Sequence, residues 1–290
     1  MARYWGRLRR KSDELAAVRA ELDELRARVG AGGPLDGATP TPAMLERMLA
    51  LERWLAHHPP PPTLVSVVLT TFERPPLLAE AIASVQAQTH GHWELIVVDA
   101  GSSDETPQLL AAVDDERVRP VAAERLATPA ARNRGIDLAR GDVVAYLDDD
   151  NVMLPGWLAA VAWAFERHPD VDVLYGARVV EDESMFGSPA RLPRILMADF
   201  DRASLERANF TDANVIAHRA RLPDARFDED IPGVSDWDLM LRLSARKPPL
   251  ALPALAALYR TTAPHKQSAT DRFRESYATL LSRIDAQRGR

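Results

Sequence analysis

The sequence predicts an α/β protein built on a mostly parallel sheet flanked by helices. Two observations carry that expectation. Apolar, β-branched runs recur at 64–70, 93–98 and 143–147, without the alternation of a half-exposed strand. Continuous runs of this kind belong to strands covered on both faces. Between them lie segments whose apolar residues follow helical spacing, and alternating strand and helix implies parallel βαβ units. A third observation points to function: each run ends in a polar cluster, and ligands of such sheets sit beyond the carboxyl ends of the strands.

In chain order, residues 1–30 read as a helix with Leu8, Leu15, Leu22 and Val29 seven apart, and Val18 and Leu25 in the second apolar position. This pattern leaves self-association through a short coiled coil open beside packing on the main domain. Residues 30–42 are rich in Gly and Pro and read as a linker. Met44, Leu45, Met48, Leu51 and Leu55 mark a second short helix, and Pro59 to Pro62 a stiff spacer. The strand at 64–70 is followed by a helix opened by Pro75 and Pro76. After the strand at 93–98 come a helix at 106–113 and a strand at 118–122. A helix at 128–140 follows, with Thr128 expected as its N-cap and Pro129 as its first helical residue. Gly141 stops it before the strand at 143–147. Residues 176–211 read as long and irregular, 214–219 as a further strand, and 271–287 as a closing helix with Phe273, Tyr277, Leu280, Leu281 and Ile284 on one side.

The totals narrow the class. The chain has 290 residues, 46% of them apolar, enough for one large α/β domain with appendages. Net charge is -6, which argues against a nucleic-acid binder. There is no cysteine, so disulfides, zinc ribbons and thiol nucleophiles are excluded. Of 36 basic residues only Lys11, Lys247 and Lys266 are lysines. No apolar run reaches the length of a membrane span. The expected location is cytoplasmic, with the basic, aromatic opening Arg3 to Lys11 allowing contact with the inner face of a membrane.

The chemistry concentrates at three strand ends. Asp148, Asp149 and Asp150 directly follow the apolar run 143–147. Alternate residues of an extended segment point the same way, so Asp148 and Asp150 can converge while Asp149 faces elsewhere. Two convergent carboxylates repel unless a proton or cation lies between them, and hard divalent cations take oxygen ligands. The first strand ends in Thr70-Thr71-Phe72-Glu73-Arg74 and the second in Asp99 to Asp104. Hydroxyls, an aromatic face and a carboxylate suit a nucleoside, while Arg132 near a helix start suits a phosphate.

These residues resemble a known family. Residues 65–72, Val97-Val98-Asp99-Ala100-Gly101-Ser102-Ser103-Asp104, Ala131-Arg132-Asn133-Arg134-Gly135 and the stretch from Gly141 to Asn151 look like the inverting family 2 glycosyltransferases of GT-A fold. The resemblance covers roughly residues 63–265 and rests on the order of its motifs. It implies that Thr70, Phe72 and Asp99 line the base and ribose pocket, with Asp104 nearby and Arg132 by the donor. It makes Asp148 and Asp150 the ends of a DxD motif, Asp148 facing ribose and metal and Asp150 binding the metal, Mn²⁺ or Mg²⁺. Where Ala100 stands the family often has an aspartate. Downstream, Gly233 to Leu243 resembles the stretch with the catalytic base and matches it to Asp236, with Ser235 where the family more often has Glu. Residues 259–265 resemble the closing element, in which His265 would complete the metal shell.

The implied organisation is a helical extension with a Pro-rich linker at 1–58, a GT-A domain at 63–265 and a helix at 266–290 packed on it. The implied activity is hexosyl transfer from a nucleotide-diphosphate sugar, a UDP-sugar favoured, to a hydroxyl of a sugar, a lipid-linked or a small-molecule acceptor. Two other readings compete. A sugar-nucleotide nucleotidyltransferase wants a glycine-rich loop after the first strand, and residues 71–76 have no glycine. A catalytically silent scaffold protein would lack the base or the metal aspartates, and both are present.

Overall fold

A computed structural model of the chain describes residues 39–180, 194–260 and 271–288. The proposed coiled-coil segment at 1–30, Met185, Phe186, Pro189 and Pro193 of the irregular stretch, and His265 lie outside the described residues.

The elements are α1 (Pro42–Leu55), β1 (Val65–Thr71), α2 (Pro75–Gln86), β2 (Trp93–Asp99), α3 (Thr106–Ala111), β3 (Val118–Ala122), α4 (Thr128–Leu138) and β4 (Val143–Asp148). There follow β5 (Val152–Met153), α5 (Trp157–Arg167), β6 (Val173–Val180), β7 (Arg194–Leu196), α6 (Arg202–Arg207), β8 (Ile216–Arg219), α7 (Ser235–Arg246), β9 (Leu250–Tyr259) and α8 (Asp271–Arg288). Among the described residues the strands form one sheet in the order β3-β2-β1-β4-β8-β6-β9-β5, with β7 paired to β6. Its first half is parallel: β1 runs beside β2 and β4, and β3 beside β2. Beyond β4 it becomes mixed, because β8 pairs antiparallel with both β4 and β6. The result is an α/β fold of GT-A type.

Every residue of β1 and β2 is buried, which explains their mostly apolar sequence, broken by Ser66 and Glu94 near the strand starts and by Thr70, Thr71 and Asp99 at the ends. Apolar surface removed from water stabilises at about 25 cal/mol per Å². Helices α2 and α5 cover one part of this surface with Leu78, Ile82, Val85, Trp157 and Leu158, all buried. The early helix α1 is capped by Thr41, whose hydroxyl accepts from the Met44 N–H at 3.2 Å. Its Met44, Leu45 and Met48 pack with Ala177 and Met197 at the other half of the sheet.

The expected N-cap at Thr128 is displaced by one residue. Ala127 occupies the cap with extended backbone, and Thr128 and Pro129 are the first two helical residues. The expected strand at 214–219 is shorter for a local reason. Asp212 accepts from the Asn214 N–H at 2.8 Å and winds residues 213–215 into a 3₁₀ turn before β8 begins.

At the opposite end from the polar clusters, the strand starts are tied by a buried carboxylate. Glu94 of β2 accepts from the Ser66 hydroxyl at 2.7 Å, the Arg140 N–H at 2.6 Å and the Arg119 guanidinium at 2.7 Å. Burial would raise its pKa, but these donors overcome that and hold it below the usual range. The Gly141 N–H donates to Ser66 Oγ at 2.8 Å, and a Cβ at position 141 would lie 2.5 Å from the Leu64 carbonyl oxygen. His218 is buried between the Tyr146 hydroxyl and the Arg219 carbonyl, so its role is in the core. Among the described residues no helix is long and apolar enough to cross a membrane.

Helix α4 lies so close to β1 that a Cβ on Gly135 would sit 2.3 Å from Val68 Cγ1. Alanine there gains about 1 kcal/mol of helix propensity. Forcing a methyl against a buried valine costs about 1–3 kcal/mol. Gly135→Ala is therefore expected to lower the urea midpoint and, by shifting α4, to disturb Arg132.

Candidate active site

The ends of β1 and β4 and the starts of α4 and α7 enclose a cleft of about 950 Å³. Register explains the meeting: Thr70 of β1 is level with Asp148 of β4, and Thr71 with Asp99 of β2. Thr70, Phe72, Arg132, Asp148, Asp150 and Asp236 all line the cleft. Asp99 and Asp104 are not among its lining residues. Asp99 accepts from the Ser102 N–H at 2.9 Å and shapes the turn after β2, while Asp104 accepts from the Thr106 N–H at 3.0 Å at the start of α3.

Asp148 is held from two directions. Arg132, reaching down from α4, donates to one oxygen at 2.6 Å. The Asn214 amide donates to the other at 2.9 Å, and its carbonyl accepts the Asp148 N–H at 2.7 Å. The Arg132 guanidinium also lies 5.0 Å from the Phe227 ring.

The alternation expected across 148–150 does not hold, because β4 ends at Asp148 and the next two residues form a turn: Asp149 lines the same cleft as Asp148 and Asp150, reaching toward the end of β1. It accepts from the Thr71 hydroxyl at 2.9 Å, the Arg74 guanidinium at 3.0 Å and the Phe72 N–H at 3.4 Å. Burial pushes its carboxyl up to about 6, against the opposing pull of the Arg74 charge. Asp150 receives the same Arg74 nitrogen at 3.3 Å.

Across the cleft, Asp236 stands in the first turn of α7, where the helix dipole favours an acid. Its carboxylate accepts from the Trp237 N–H at 2.8 Å and the Asn209 amide at 3.4 Å. Burial pushes it up to about 6; the Arg132 charge pulls it down and the Asp212 charge pushes it further up. A carboxyl poised there is charged at neutral pH yet more basic than a solvated one.

Several lining residues had no signal in the sequence. Arg125 lies 5.1 Å from the Phe72 ring. Arg178 of β6 is paired with Asp212, which itself caps the 3₁₀ turn bearing Asn214. Their only trace is the Asp-x-Asn spacing at 212–214, which reads as an ordinary turn.

The profile of Glycosyl transferase family 2 matches residues 66–221, more than half of the sequence. The chain belongs to this family. Asp236 and all of α7 lie beyond the match. Curated relatives of this family 2 chain include the putative colanic acid biosynthesis glycosyl transferase WcaA of Escherichia coli K12, 27% identical over 183 residues, covering 62% of this chain and 66% of that one. The succinoglycan biosynthesis protein ExoO of Rhizobium meliloti is 33% identical over 192 residues, covering 61% and 54%. An uncharacterised protein, y4gI of Sinorhizobium fredii, is 31% identical over 210 residues, 70% of this chain but 22% of its own length. The chain thus spans between about a fifth and two thirds of these relatives. Among solved structures, residues 1–349 of S. aureus TarS in complex with UDP-GlcNAc share the fold, with a TM-score of 0.59 at 17% identity over 76% of this chain and 69% of that one.

The raised Asp236 has a stability consequence. Its carboxyl titrates near 6 when folded and about 3.9 when unfolded. The folded chain therefore binds the extra proton between those values, and stability falls as pH rises through that window. Asp236→Asn removes the cost, and is expected to melt above the wild type at pH 8 with a gain that shrinks toward pH 4, read by thermal denaturation at both ends.

Proposed function

We propose that this chain is a metal-dependent, inverting glycosyltransferase that moves a sugar from a nucleotide-diphosphate donor to an acceptor hydroxyl. One observation carries the reading: Asp148 and Asp150 share a single cleft with Asp236, which stands on the opposing wall at a helix start. The catalytic unit would be residues 63–265, with 1–58 an extension and 266–290 a helix closing over it.

The donor set fits a hard divalent cation. Among the described residues no three acidic or histidine side chains converge on one point. Two carboxylates completed by substrate phosphates are nonetheless how Mg²⁺ is commonly held. Asp150 and Asp148 would hold the ion, with His265 as a third ligand. When bound, it would offset the charge that builds on the departing diphosphate.

The remaining chemistry belongs to side chains of the cleft. Phe72, with Arg125 over its ring, and Thr70 would form the wall against which a base stacks. Asp99, behind that wall, would fix the turn on which the ribose rests, with Asp104 beside it. Arg132 orients Asp148 through their ion pair. Asp236 would take the proton of the acceptor hydroxyl as its oxygen forms the new bond to the anomeric carbon. The bond from that carbon to the diphosphate oxygen breaks in the same step, on the other face, so configuration inverts.

UDP is the favoured nucleotide, supported by the UDP-GlcNAc complex of the fold relative TarS. A saccharide-bearing acceptor agrees with the names of WcaA and ExoO. A nucleotidyltransferase has no matching observation, since the turn after β1 offers no glycine loop.

Thermal shift with UDP, GDP and dTDP, each with and without Mn²⁺, is expected to show stabilisation by one nucleotide that depends on the ion; indifference to all of them sinks the reading. Asp236→Asn is expected to keep that nucleotide response and to lose transfer by about 10²–10⁴-fold. In the wild type kcat/KM should fall as pH drops through about 6, because the base is then protonated.

A further inference from the structure

We propose that Arg74 is a built-in counter-cation of the aspartate cluster, which keeps a divalent ion out of the site until donor is bound and makes the ion enter together with the donor diphosphate. The inference rests on the metal-dependent reading above and adds the order in which the ligands arrive.

A single guanidinium nitrogen of Arg74 touches two carboxylates, Asp149 at 3.0 Å and Asp150 at 3.3 Å. All three side chains are at least four-fifths buried, with 16%, 7% and 9% exposure. The positive charge thus sits against one of the two carboxylate oxygens that Asp150 could offer a cation. Charge–charge contacts so shielded from water are far stronger than surface pairs.

The backbone aims Arg74 there. Glu73 is in the left-handed region at φ 52°, rare for a residue with a long side chain, and such strain persists only where the surroundings over-determine it. The surroundings are visible: the Glu73 N–H donates to Ser102 Oγ at 2.9 Å, and its carboxylate accepts from Ser103 at 2.8 Å. Pro75 then disfavours helical backbone at Arg74, which sits at φ −141° and ψ 54°. From this turn the guanidinium reaches the carboxylates that follow β4.

Charge compensation supplies the ordering. A lone dication would add two positive charges beside Arg74 and Arg132. A dication arriving with a diphosphate adds almost none, and the phosphate oxygens give Arg74 a new bidentate partner as it yields Asp150.

The test is Mn²⁺ binding followed by the electron paramagnetic resonance of free ion, on wild type, Arg74→Met, Arg74→Gln and Arg74→Lys, with and without UDP and with folding checked by circular dichroism. Without nucleotide, Arg74→Met and Arg74→Gln are expected to bind Mn²⁺ at least about tenfold more tightly than wild type. Arg74→Lys, which restores the charge, should return to near the wild-type value. UDP should tighten Mn²⁺ binding in the wild type far more than in the neutral variants. Unchanged or weaker Mn²⁺ binding in both neutral variants overturns the proposal. So does loss of UDP binding in them when wild-type UDP binding ignores Mn²⁺, since Arg74 would then itself be the cation of the diphosphate. Wild type that binds UDP with no response to Mn²⁺ defeats the metal-dependent reading separately.

Discussion

Three consecutive carboxylates at the end of a buried strand are stable only if each finds a partner, and the architecture around the cleft follows from that requirement. Asp148 is clasped by Arg132 from the parallel half and by Asn214 from the turn that opens the mixed half. Asp149 is taken up by Thr71 and Arg74 at the end of the neighbouring strand. The two halves of the sheet are thus joined by the hydrogen bonds between Asp148 and Asn214 as well as by the β4–β8 ladder. Breaking one member of such a network leaves an uncompensated buried charge, which costs far more than the intact pair contributes.

The strand–helix alternation was legible because strands covered on both faces are mainly apolar, as the centres of β1, β2 and β4 are. That Thr70, Phe72, Arg132 and the aspartates line one cleft was legible too, since strand ends of a parallel sheet meet at one edge; that Asp149 joins its neighbours there was not, because the strand alternation stops at Asp148. The places where sequence and structure part are local competitions. Asp212 diverts residues 213–215 from strand to 3₁₀ turn, and Ala127 takes the cap position that Thr128 suggested. Asp99 and Asp104 satisfy nearby backbone N–H groups instead of lining the cleft, as short acidic side chains in turns often do.

What composition and spacing had no means of showing is the long-range pairing. Arg178 meets Asp212 across 34 positions and Arg74 meets Asp149 across 75. An arginine before two prolines reads as a helix start, and nothing in its neighbours marks it as half of a buried pair. The raised carboxyl of Asp236 is equally hidden, since first-turn acids are ordinary and only the burial of α7 sets this one apart.

The buried knot of Glu94, Ser66, Arg119 and the Arg140–Gly141 backbone lies at the strand starts, the opposite end of the sheet from the cleft. It works as a keel. Because the strand origins are fastened there independently of the rim, segments along the rim are free to be exchanged or lengthened without loosening the platform, and a lineage built on this frame can change what it recognises while its foundation stays as it is.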